Sequence, residues 1–151
     1  MARPTCTTTG AVESCSPCEH PFVSIKGSPS RRLQQALETG NPLLVRSAAA
    51  ELPRVGLPEA LAICLLLLDA EPDSYPSAAA RWAARFVLEH PGVGMGEAKL
   101  VLSSLAALRG RGWVAGAEAL VALCRLRKVD RAAEVLDVWA ERKRAARDED
   151  P

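Results

Sequence analysis

Nine consecutive apolar residues, Ala60 to Leu68, stand between Glu59 and Asp69. A helix drawn through them has no polar face, and such a helix must be buried on nearly all sides. The run is only about half of the roughly 20 residues that cross a bilayer, so the cover has to come from protein rather than lipid. No other stretch is longer or more apolar, and the opening residues Met1 to Thr9 contain no apolar core of an export signal. The chain therefore reads as a cytoplasmic domain folded around this segment. Its 151 residues are enough for one self-sufficient core.

The cover is helical. Ala and Leu supply most of the apolar content, whereas aromatic and β-branched strand formers are few. Ser28-Pro29 is a helix-start signal, a capping side chain followed by a proline whose missing N–H costs nothing there, and Thr39-Gly40 ends that helix. Asn41-Pro42 repeats the signal, with Leu44, Val45, Ala48, Ala49 and Leu52 on one face before Pro53. Gly56-Leu57-Pro58-Glu59 opens the apolar helix. Ser74 to Glu89 carries Ala79, Trp82, Ala83, Phe86 and Val87 along one side. A fifth helix over about Gly96 to Arg109 repeats Val101, Leu102, Leu105 and Leu108. A sixth, over about Val114 to Arg125, repeats Ala117, Leu120, Val121 and Cys124. The seventh, capped by Asp130, repeats Ala133, Leu136, Trp139 and Ala140. The expected fold is all-α, about seven antiparallel helices over residues 28–147. A flexible Cys/Ser/Thr/Pro-rich arm (1–27) precedes it and an acidic tail (148–151) follows. Helix starts recur about every 18 residues, a rhythm shared by a bundle and by a short solenoid of helix hairpins.

One stretch goes further. Leu120-Val121-Ala122-Leu123-Cys124-Arg125-Leu126-Arg127-Lys128-Val129-Asp130-Arg131-Ala132-Ala133-Glu134-Val135-Leu136-Asp137 resembles a single unit of the tetratricopeptide/pentatricopeptide-type helical repeat superfamily. A helix with spaced leucines meets a tight turn, and the small Ala132 and Ala133 admit a second helix. Arg127-Lys128 departs from the pattern where a glycine is usual. A fainter likeness lies in Leu33 to Leu52. The resemblance implies a scaffold that binds partners on a helical surface and implies no catalytic residues.

The chemistry-bearing residues are sparse. Cys6, Cys15, Cys18 and His20 supply four soft ligands including a C-x-x-C knuckle, a set that fits tetrahedral zinc. Cys6 is isolated, however, and zinc motifs ordinarily pair two close ligand pairs, so the expectation is no cofactor, with a zinc-binding regulatory arm as the alternative. Cys64 and Cys124 fall on apolar helical faces as core thiols. His90 before Pro91 reads as a helix-end residue rather than a base. Gly92-Val93-Gly94-Met95-Gly96 lacks the Lys and Ser of a phosphate loop and reads as a turn. Trp82 and Trp139 read as core anchors, and Trp113, beside Gly112, as partly exposed.

Residues 1–98 carry 8 basic and 10 acidic side chains, and residues 99–151 carry 11 basic and 8 acidic. Arg125, Arg127, Lys128 and Arg131 around one turn are the candidate anion-binding set. Arg142, Lys143, Arg144 and Arg147 complement the negative end of the last helix. Interleaved acids and few free aromatics argue against nucleic acid as the main partner. The expected function is a non-enzymatic protein-interaction module, with nucleic-acid binding through the basic C-terminal third as the alternative.

Overall fold

A computed structural model describes residues 27–148. The Cys6, Cys15, Cys18 and His20 set, the arm that carries it and residues 149–151 lie outside that range. The described residues form seven α-helices and no strand. They are α1 (Pro29–Thr39), α2 (Pro42–Ala50), α3 (Leu57–Ala70), α4 (Tyr75–Glu89), α5 (Met95–Ala107), α6 (Trp113–Leu126) and α7 (Asp130–Asp148). The start signals act as expected. Ser28 accepts from the Arg31 N–H and Asn41 from the Leu43 N–H, each followed by its proline, and Gly40 ends α1 at φ 68°.

Each helix from α3 to α7 packs on the next, and α3 also packs on α7, so these five close into a ring. Side-chain contacts give their directions. Trp82 of α4 donates to the Leu57 carbonyl at the start of α3, 2.9 Å away, and Tyr75 donates to the Leu105 carbonyl near the end of α5, 2.7 Å away. Glu118 and Asp137 pair across α6 and α7 with Arg144 and Arg125. All these neighbours are antiparallel. Arg131 meets Glu59 where α7 and α3 begin, whereas Trp139 and Lys143 meet Asp69 where α3 ends. Hence α3 and α7 are parallel. An odd number of alternating helices can close only if one neighbouring pair runs the same way, so the otherwise antiparallel arrangement carries this single parallel seam.

The α1–α2 hairpin lies on the outside of α3. Leu33, Ala36, Val45 and Ala48 form its small core with Ile63 and Leu66, while Leu61, Cys64, Leu65 and Leu68 face the ring. This is the all-round burial that the apolar run demands, with each buried leucine contributing about 1.5–3 kcal/mol. Arg46–Glu71 and Arg54–Glu89 tie the hairpin and its following loop to the ring. No helix among the described residues is long and apolar enough to cross a membrane.

Three details differ from the sequence reading. Trp113 is buried, at 3% exposure, because α7 lies over it and its ring meets that of Trp139 edge-on at 5.7 Å. Leu44 is half exposed because it lines an open groove of about 270 Å³ between α1 and α2. Leu102 is likewise half exposed, since α5 buries only the row Val101, Ser104, Leu105 and Leu108, and Leu102 stands about 100° from it.

Candidate interaction surface

Two helices of the ring, α5 and α6, are short of polar residues, and no helix among the described residues covers their outer sides. In α6, Trp113, Ala117, Leu120, Val121 and Cys124 face the core and Gly116 faces α5. The row opposite, Ala115, Ala119, Ala122 and Leu126, follows the i, i+4, i+7, i+11 spacing of one helix face. Ala115 and Ala122 are exposed, Ala119 partly so, and Leu126 is 66% exposed. No charged side chain interrupts the row. Glu118 and Arg125 flank it on the α7 side, with side chains 69% and 62% exposed.

On the other flank α5 comes unusually close. A Cβ on Gly116 would lie 2.8 Å from the Ser104 carbonyl oxygen and 3.0 Å from the Ala107 Cβ, so glycine is what permits the approach. Leu100, one turn from both Glu97 and Ser104, lies on the α6 side of α5 and is 44% exposed. Met95 and Leu102 are also exposed but lie on the far side of α5 from Leu100, beyond the exposed Lys99 and Ser103. The close approach merges the two helices into one shallow, mostly apolar face. Exposed apolar side chains scattered singly are ordinary, whereas a row of them on adjoining helices makes a candidate interaction surface.

Of the four residues expected to bind anions, the three arginines have other commitments. Arg125 bonds Asp137 on α7 at 2.8 Å, Arg127 bonds Glu97 on α5 and the Gly92 carbonyl, and Arg131 bonds Glu59 on α3 at 3.2 Å. The three guanidinium groups thus point to three different helices. Lys128 is exposed in the turn at φ 59°, with its N–H on the Arg125 carbonyl and the Val129 N–H on the Cys124 carbonyl. That is a Schellman ending in which a lysine takes the left-handed place that glycine prefers. Here the 120–137 hairpin departs from the repeat pattern; Ala132 and Ala133 are buried.

The C-terminal basic run does more than complement the helix dipole. The Lys143 ammonium sits 4.5 Å from the Trp139 ring centre and 5.6 Å from that of Trp113, with Asp69 at 3.9 Å. Trp139 also donates to Asp69 at 3.0 Å, so this cluster staples the parallel seam.

Other candidate groups are structural. His90 closes α4, with Nδ1 donating to the Phe86 carbonyl at 2.8 Å and its ring 4.9 Å from that of Phe86. Gly92 sits at φ 96° in the turn before α5, and Gly94 precedes the first turn of that helix. Burial pushes the Cys64 and Cys124 thiols up to about 12, which leaves them protonated and inert at neutral pH. Among the described residues no group of three or more His, Cys, Asp or Glu side chains is arranged to hold a metal ion. No family model matches the chain, and neither a curated protein nor a solved structure matches it significantly.

Proposed function

We propose that this chain is a non-enzymatic helical module of the cytoplasm that binds another protein through the outer face of α5 and α6. The observation that carries the reading is the uncharged row Ala115, Ala119, Ala122 and Leu126, widened by Leu100 across the close contact at Gly116. α3 has a comparably apolar outer side, and there the α1–α2 hairpin covers it. The resemblance of residues 120–137 to a repeat unit whose relatives bind partners on helical surfaces supports the same reading. Substituting Ala122→Glu places a charge in the row without touching the core. Proteins retained by the wild-type full chain from extracts of its source cells are expected to be lost with this variant, while its circular dichroism and urea midpoint stay the same. Retention of the same proteins by Ala122→Glu would refute the reading.

A further inference from the structure

The α6 face carries a pattern that complements itself. Ala115 to Leu126 and Ala119 to Ala122 share one midpoint, so when a second α6 is laid on the first in the opposite direction, the row meets its own copy in register. Ala119 then faces the partner's Ala122, and Ala115 faces the partner's Leu126. Glu118 and Arg125, one on each side of that midpoint, flank the same edge of the row. In the antiparallel pairing each Glu118 comes beside the partner's Arg125, and the symmetry makes this contact twice. A parallel pairing would put this edge on opposite sides of the seam in the two copies, so neither contact could form. The small side chains of the row suit close approach of two helix backbones, and the mostly apolar flank formed by α5 extends the contact.

From this charge complementarity we infer that the occupant of the α6 face is a second copy of this chain, docked antiparallel about a twofold axis between Ala119 and Ala122. The contact is isologous, so it closes at two copies and leaves no free face to propagate a filament. The existing pairs of Arg125 with Asp137 and of Glu118 with Arg144 are exposed, and the second of these is 4.0 Å long, so both side chains are free to share their charge with a partner. This inference rests on the reading of the α5–α6 face as an interaction surface, but names its occupant.

Sedimentation equilibrium of the full chain tests it. The wild type is expected to sediment as a monomer–dimer equilibrium that weakens as salt is raised, and Ala122→Glu as a monomer with an unchanged thermal melt. Glu118→Arg alone and Arg125→Glu alone are each expected to weaken the dimer about tenfold, since each turns two attractive contacts into repulsive ones. The double variant, with the charges exchanged, is expected to recover most of the loss. A wild type that stays monomeric at every concentration, a dimer indifferent to Ala122→Glu, or a double variant no better than the singles would overturn the inference. A monomeric wild type whose captured proteins are still lost in Ala122→Glu would remove the second copy and leave the interaction surface standing.

Discussion

Replacing Gly116 with alanine sets two effects of similar size against each other. In a helix interior alanine is favoured over glycine by about 1 kcal/mol, because it restricts the unfolded chain and costs the helix nothing. At this position the new methyl would lie 2.8 Å from the Ser104 carbonyl oxygen and 3.0 Å from the Ala107 Cβ. The oxygen belongs to the α5 backbone and cannot swing aside as a side-chain end would, so α5 and α6 must separate along their length. Overpacking of that kind costs about 1–3 kcal/mol, and the net expectation is a loss of up to about 2 kcal/mol. With a urea dependence of about 1–3 kcal/mol per molar, a 1 kcal/mol loss moves the midpoint down by roughly 0.3–1 M. Gly96→Ala provides the control. It lies in the first turn of α5 with nothing within 4 Å of the added Cβ, and there the same substitution should stabilise by a few tenths to about 1 kcal/mol. A rise in midpoint for Gly116→Ala at unchanged denaturant dependence would show that the helices are not in contact at that point.

The buried thiols make stability fall in alkali. Cys64 and Cys124 are held at about 12 in the fold against an ordinary 9.0, and burial also raises the Tyr75 hydroxyl above its usual 10.0. The folded chain keeps protons that the unfolded chain releases, so their contribution is complete below about pH 9 and is lost as the pH climbs toward 12. Each thiol adds at most about 1.4 kcal/mol per pH unit, and urea midpoints that stay flat between about pH 8 and pH 11 would contradict the burial. Lys128→Gly relieves a left-handed residue in the α6–α7 turn and should raise stability by about 1 kcal/mol in the same titration; a destabilised variant would place the lysine side chain in a contact that the turn does not show.

Helix positions were legible because their signals are local. Ser28-Pro29, Asn41-Pro42 and Gly40 act within one turn, and the observed helices start within a residue or two of the expected places. The face toward the core could be read for α4, where Ala79, Trp82, Ala83 and Phe86 recur among arginines, and for α5 through Val101, Leu105 and Leu108, whereas Leu102 falls outside it because packing selects its neighbour Val101. Trp113 was misplaced for the same reason, since its burial depends on Trp139 of α7, 26 residues later. The four basic residues near 125–131 cluster in sequence because they flank a turn, yet a turn joins helices with different neighbours and the three arginine side chains diverge to α7, α5 and α3. The α6 row was visible as spacing in the sequence, but an uncharged row on a helix ordinarily means core, and only the observed ring shows which of two apolar faces is left outside.

The ring itself explains why those two faces differ in fate. Five helices enclose one core, and each presents about half its circumference to it, so a helix with apolar residues on both sides needs a second layer. For α3 that layer is built into the same chain: Leu33 and Val45 of the hairpin close over Ile63 and Leu66, and Arg46 and Arg54 hold the hairpin there through Glu71 and Glu89. α6 lies elsewhere in the ring, between α5 and α7, where no described residue reaches its outer row. Its buried side is already complete, with Leu120 and Cys124 fully enclosed, so the fold gains nothing by keeping Ala115, Ala119, Ala122 and Leu126 free of charge. Lys, Glu or Arg at the alanine positions would cost the helix only about a few tenths of a kcal/mol each and would lower the risk of association. The core does not require this outer row to be free of charge, and on the proposed function a second layer from another molecule covers it as the hairpin covers α3.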